Sequence, residues 1–160
     1  MTLKYTIQFF DYWHLGSGLS AGAKLDSTVT KDNKGIPYAS GKTIKGLIRE
    51  MAEEFGDIEY LHLCYFKNAT LDEDTYKEIV TNNLQDNLYD IIAFTKVENG
   101  IAVDDSLREI EVVIPMILEG EILDVPTEDY HKLDKSLKMI KRMGLNRNRG
   151  LGRCIVEVQK

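Results

Sequence analysis

Leu3, Tyr5, Ile7 and Phe9 alternate with Lys4, Thr6 and Gln8, the two-residue period of a strand with one face buried and one wet, and predict a first strand over residues 3 to 11. The alternation then lapses. Residues 12 to 39 collect Gly16, Gly18, Gly22, Gly35, Ser17, Ser20, Asp32 and Asn33, the composition of a long loop or a small hairpin excursion. From Ser40 the period becomes helical: Ile44, Leu47, Ile48, Met51, Ala52 and Phe55 fall on one face, Ser40 is placed to cap it, and Gly56 stands where a C-terminal glycine belongs. Residues 58 to 69 are apolar-rich and predict a strand. Thr70 and Glu73 have capping-box spacing for a short helix near 71 to 81. The polar, poorly periodic stretch at about 82 to 108 reads as an insertion or extended arm.

Alternation returns over residues 109 to 123, where Ile110, Val112, Ile114, Met116 and Leu118 share a face. Pro115 removes a backbone donor inside this run, so the strand must lie at an edge, bulge or break there. Tyr130, Leu133, Leu137 and Ile140 then predict a second helix ending at Gly144, and residues 153 to 159 a last strand. Strand, helix, strand, insertion, strand, helix, strand is the split β-α-β order. It predicts an α+β fold: a ferredoxin-like (RRM-like) antiparallel sheet backed by two helices, forming one domain over 160 residues.

The composition excludes several classes. No apolar run reaches the length of a membrane span, and Met1 to Tyr5 lack the basic-then-apolar layout of a secretory signal, so a cytoplasmic protein is expected. Cys64 and Cys154 have no paired spacing and read as buried thiols. A net charge of -6 argues at first against nucleic acid, but the charge is segregated. Between Lys132 and Arg153 the cations Lys132, Lys135, Lys138, Lys141, Arg142, Arg147, Arg149 and Arg153 face only Asp134. Acids gather instead at residues 72 to 90 and 104 to 121, which predicts one face for phosphate and others that repel it.

Two basic elements follow. Gly41-Lys42-Thr43 resembles the tail of a phosphate-binding loop, yet position 36 is isoleucine where that motif needs glycine. What survives is a helix N-terminus with unpaired N–H groups, beside a stripe of Lys42, Lys45 and Arg49. The bland alternative is that these cations only solvate the helix. Gly144-Leu145-Asn146-Arg147-Asn148-Arg149-Gly150-Leu151-Gly152-Arg153 is the second: glycines admit close approach of a ligand, and arginines fork onto phosphate or stack on bases.

These residues resemble the RAMP superfamily of CRISPR-associated proteins, whose members share ferredoxin-like folds and a glycine-rich loop before the final strand. Arg147 to Arg153 resembles that loop. Gly35-Ile36-Pro37-Tyr38-Ala39-Ser40-Gly41-Lys42-Thr43-Ile44-Lys45-Gly46 is similar to the superfamily's Pro-Tyr-Ile-Pro-Gly-Ser-Ser-Leu-Lys-Gly element, with Ala39-Ser40 in place of Ile-Pro and Lys42-Thr43 in place of Ser-Ser. Within the superfamily, the repeated backbone subunit of type III effector complexes is most similar. His14-Leu15-Gly16-Ser17-Gly18 resembles its His-Ile-Gly-Gly segment, and Asp26-Ser27-Thr28-Val29 its Asp-Asn/Ser-Pro-Val loop, with threonine for proline. Asn99 to Ala102 and Ser106 to Glu111 resemble the thumb that wedges into the guide–target duplex.

The resemblance implies guide-RNA contacts at Ser40, Lys42, Lys45, Arg49, Arg147, Arg149, Gly150, Gly152 and Arg153, with target RNA and other effector subunits, copies of this chain included, as partners. It implies metal-dependent endoribonuclease chemistry at Asp26, with Mg²⁺ or Mn²⁺ as cofactor. An aspartate with a pKa of about 4 is a weak base at neutral pH, which favours metal binding over proton abstraction. His14 is a second catalytic candidate, since a histidine base would suit a guide-processing nuclease. Three alternatives stand beside these: Asp26 as a turn residue in a catalytically inactive structural subunit, His14 as a loop-packing residue, and a free-standing ferredoxin-like protein binding a small phosphorylated ligand.

Overall fold

A computed structural model of the chain describes residues 1–16, 27–53 and 59–159. β1 spans Leu3–Phe9, and Leu3, Tyr5, Ile7 and Phe9 are each 2% exposed or less, as the alternation predicts. Each such side chain stabilises the fold by about 1.5–3 kcal/mol through lost contact with water. β1 pairs antiparallel on one side with β7 (Ile117–Leu123) and on the other with β8 (Cys154–Val158). The two-residue β2 (Tyr65–Phe66) adds to the outer edge of β7, giving the order β2-β7-β1-β8. This is the ferredoxin-like sheet that the element order predicts.

Two helices back the sheet. α1 (Gly41–Ala52) starts where Ser40 accepts the Thr43 N–H at 3.1 Å, and it buries Ile44, Leu47, Ile48 and Ala52. Phe55 and Gly56 lie outside the described residues. α3 (Tyr130–Met139) buries Leu133, Ser136 and Leu137. It stops five residues before Gly144 because the chain is drawn into another pairing: the Met143 N–H donates to the Gly152 carbonyl at 3.0 Å, and that of Cys154 to the Lys141 carbonyl at 2.9 Å.

Two expectations about the connecting segments are corrected. Residues 58 to 69 are not one strand: the described part holds a 3₁₀ turn at Glu59–His62 before β2, with Tyr60 and Leu61 inserted into the core. The capping box is displaced. Asp72, and not Thr70, caps α2 (Glu73–Thr81) through the Thr75 N–H at 3.0 Å, while Thr70 bridges Glu119. The described residues of the excursion over 12 to 39 form no helix or extended strand, in keeping with a loop, and isolated bridges tie it down, with Trp13 paired to Val113, Gly16 to Val29 and Ser27 to Ile110.

The stretch read as polar and poorly periodic contains strands. β3 (Tyr89–Phe94) and β6 (Arg108–Val113) form an antiparallel ribbon, tipped by β4 (Val97–Glu98) and β5 (Ile101–Ala102). Asn99 and Gly100, at φ 52° and 78°, make the tight turn between them, a hairpin signal that Asn-Gly carries on its own. Pro115 breaks the predicted strand: β6 belongs to the ribbon and β7 to the main sheet. Among the described residues, no helix is long and apolar enough to cross a membrane.

Candidate nucleic-acid interface

The uncovered face of the main sheet is a poor seat for RNA. It exposes Lys4, Gln8, Ile117, Glu119, Ile155 and Glu157, so β1, β7 and the edge strand β8 offer no aromatic platform and more acid than base. The N-terminus of α1 is also less open than its sequence implies. The Gly41 N–H donates to the Asn68 side chain at 3.0 Å and that of Thr43 to Ser40, so two of its orphan donors are already satisfied. Gly41 itself answers to packing: a Cβ there would meet the Phe66 carbonyl oxygen at 2.0 Å. Ser40 is therefore first a cap.

The expected cations divide between two sides of α1. Lys45 lies over the Phe66 ring of β2 at 5.6 Å, and Lys42 and Arg49 are exposed. Arg147, from the loop after α3, reaches Glu50 at 3.1 Å beside a cleft of about 300 Å³ that Lys141 and Arg142 also line. Lys45 thus faces β2, while the arginine loop reaches the helix at Glu50.

Residues 144 to 153 form a closed turn. The Arg149 N–H donates to the Asn146 carbonyl at 2.8 Å, with Asn146 in the left-handed region at φ 54°. Its glycines do different work. A Cβ on Gly152 would lie 1.9 Å from the Met143 carbonyl oxygen, whereas one on Gly150 would meet nothing within 4 Å. Gly150 is thus open on the side where a Cβ would stand. Arg153 is held by Asp11 at 3.1 Å and lies over the Phe10 ring, while Arg149 is exposed without an ion-pair partner among the described residues.

The sequence matches the family model of the RAMP superfamily over residues 6–155. The chain belongs to the RAMP superfamily. Its fold is shared by a chain of the type III-B Cmr-β complex bound to cognate target RNA, with a TM-score of 0.74 at 10% identity, covering 99% of this chain and 97% of that one. A chain of type III-B Cmr-β in the apo state gives a TM-score of 0.70 at 12% identity over 100% and 98%. No curated protein matches the sequence.

Asp26, the residue expected to carry catalysis and metal, lies outside the described residues, which resume at Ser27. His14 is 1% exposed. Its Nδ1 faces the Glu111 carbonyl, which only accepts, so Nδ1 carries the hydrogen; Nε2 meets the Ser27 hydroxyl at 3.0 Å. Trp13, also buried, stacks on Phe9 with centroids 4.4 Å apart and donates to the Ile114 carbonyl. Both cysteines are buried, and burial pushes the Cys154 thiol up to about 12. Among the described residues, no group of three or more His, Cys, Asp or Glu is arranged to hold a metal.

Sequence reasoning missed Asp11, Glu50 and Glu111 as partners of the site. Each is a carboxylate facing a residue 80 or more positions away, and no local spacing announces that.

Proposed function

We propose that this RAMP protein is a guide-RNA-binding backbone subunit of a type III CRISPR effector complex, and that target RNA paired to the guide is cut at the Asp26 loop. One observation supports the reading: the arginine loop, the arm and the segment that begins at Ser27, next to Asp26 in the chain, all seat on residues 12 to 14. The Tyr12 carbonyl accepts from Gly152 at 2.8 Å and that of His14 from Leu145 at 2.9 Å; Trp13 pairs with Val113 of β6; and the His14 ring holds Ser27. A subunit that grips guide backbone, wedges a duplex and cuts the paired strand needs these three elements held in fixed relation. The Cmr-β structures with the same fold are consistent with such an assembly, in which partners would be guide RNA, target RNA and neighbouring subunits, copies of this chain among them.

In this reading Arg149 and Gly150 meet guide phosphate, and the ribbon, whose Ile91, Val97, Ile101 and Leu107 are exposed, is the arm that enters the duplex. Attack of a 2′-hydroxyl on the neighbouring phosphate would leave a cyclic phosphate. A divalent cation, Mg²⁺ or Mn²⁺, would take Asp26 as its protein ligand, fill its remaining positions with phosphate oxygens and water, and offset the charge developing on the phosphate. His14 holds the loop, and with both ring nitrogens engaged and the residue buried it is badly placed to act as the base of a guide-processing nuclease.

The test is cleavage by the complex assembled on guide RNA, with complementary target and Mg²⁺, comparing Asp26→Ala with the parent. Lost cleavage with retained guide binding is expected. Cleavage at the parental rate would leave a structural subunit without this chemistry, and absence of co-purifying RNA would favour a binder of small phosphorylated ligands.

A further inference from the structure

Glu111 of β6 directs every hydrogen-bonding group it owns at one short segment and at the residue that supports it. Its N–H donates to the Ser27 carbonyl at 3.2 Å, and its own carbonyl accepts from His14. One carboxylate oxygen accepts the Val29 N–H at 3.1 Å, and the other the Lys31 ammonium at 2.7 Å. The side chain is only 13% exposed. His14 closes the arrangement by binding the Ser27 hydroxyl, and Ser27 bridges Ile110, the neighbour of Glu111. Lys31 in turn lies over the Tyr89 ring on β3 at 4.2 Å, so both strands of the arm hold the segment.

A carboxylate this dry is costly unless its oxygens are satisfied, and here they are satisfied by a backbone amide and an ammonium four residues or fewer beyond Ser27. An apolar residue would pack a strand at lower cost. What it would lack is a hold on the backbone of residues 27 to 31.

We propose that Glu111 is a positioning residue: it fixes residues 27 to 31 against the base of the arm and so makes the cleavage geometry depend on how the arm is seated. The proposal rests on the reading that the adjoining Asp26 carries the chemistry. Its physical basis is that a shift of about 1 Å in a reacting group can cost about a hundred-fold in rate.

The experiment compares the parent, Glu111→Ala, Glu111→Gln and Lys31→Ala, each as the full chain assembled with guide RNA and partner subunits, with Asp26→Ala as control. Single-turnover cleavage, target affinity, and amide hydrogen exchange over residues 27 to 31 are read for each. Glu111→Ala is expected to slow cleavage by about ten- to a hundred-fold while target affinity changes less than about two-fold, and to speed exchange at Val29 and its neighbours. Glu111→Gln keeps an acceptor for the Val29 amide and should recover most of the rate; Lys31→Ala should give a smaller loss than Glu111→Ala. Parental cleavage in Glu111→Ala, equal loss of affinity and rate, or no recovery in Glu111→Gln would each overturn the proposal. If Glu111→Ala does not fold, parental rate and exchange in Lys31→Ala overturn it. Should Asp26→Ala cleave like the parent, the functional reading fails by itself, and exchange still decides whether Glu111 holds the segment.

Discussion

The guanidinium of Arg147 grips the carboxylate of Glu50, with Nη2 3.1 Å from one oxygen and 3.4 Å from the other. Both side chains are at least a third exposed, so the pair contributes only about 0.2–1 kcal/mol to stability. Its greater effect is on the field at the loop, where one carboxylate offsets one of the loop's cations. Glu50→Gln is expected to strengthen guide-RNA binding by about two- to five-fold at low salt, with the gain shrinking as salt rises. Fluorescence anisotropy across a salt series reads this directly. Unchanged binding would put Arg147 off the path of the RNA.

Arg149 differs from its neighbours in having no ion-pair partner among the described residues, whereas Asp11 and the Phe10 ring restrain Arg153. Arg149→Ala should therefore lower RNA affinity more than Arg153→Ala. It should also flatten the dependence of log K on log salt by about 0.7, as for one single-strand phosphate contact. A larger loss from Arg153→Ala would mean that RNA displaces Asp11 and that the pairing seen without RNA is broken on binding.

Gly144 and Gly150 have nearly the same backbone, φ 93° and 96°, but opposite surroundings. A Cβ at 144 would press on the His14 carbonyl oxygen at 2.3 Å, and one at 150 would stand in open space. Alanine at either position carries a left-handed penalty of about 1–2 kcal/mol. Gly144→Ala adds overpacking of about 1–3 kcal/mol, so it should melt well below Gly150→Ala. Equal melting temperatures would show that residues 12 to 14 yield to the loop, contrary to their role as its seat.

What the sequence discloses here is what neighbours in the chain decide. The alternation around Tyr5, the Ser40 cap and the donor missing at Pro115 are local effects, and each appears in the fold as predicted. Thr70 and Glu73 had the right spacing for a cap, but Thr70 is drawn into pairing with Glu119, and Asp72 takes the role. The α1 N-terminus looked open because the sequence does not show Asn68 arriving at Gly41. For the same reason the sequence left His14 between a catalytic base and a loop-packing residue: its partners are Ser27 and Glu111, both brought to it by tertiary structure. Charge type was legible along the chain, whereas charge pairing was not.

Asp32 gives a prediction in pH. It organises the turn before α1 by accepting the N–H groups of Lys34 and Ile36 at 2.8 and 2.9 Å, and it ties that turn to α2 by accepting the Tyr76 hydroxyl at 2.6 Å. Burial acts to raise its pKa, but the hydrogen bonds from Tyr76 and the backbone outweigh burial and hold it below the ordinary carboxylate value. The folded value thus lies under the unfolded one of about 3.9, so the contribution is full above that pH and is lost as pH falls through the folded value. Asp32→Ala should cost about 1–3 kcal/mol near neutrality, measured by urea unfolding. Asp72, Glu73 and Glu121 are lowered as well, so acid weakens the parent through several groups, and only the difference between parent and variant isolates Asp32. That difference should narrow steadily below about pH 4 as the carboxylate takes up its proton. A gap that stays constant into acid would mean that the turn depends on the shape of the side chain and not on its charge.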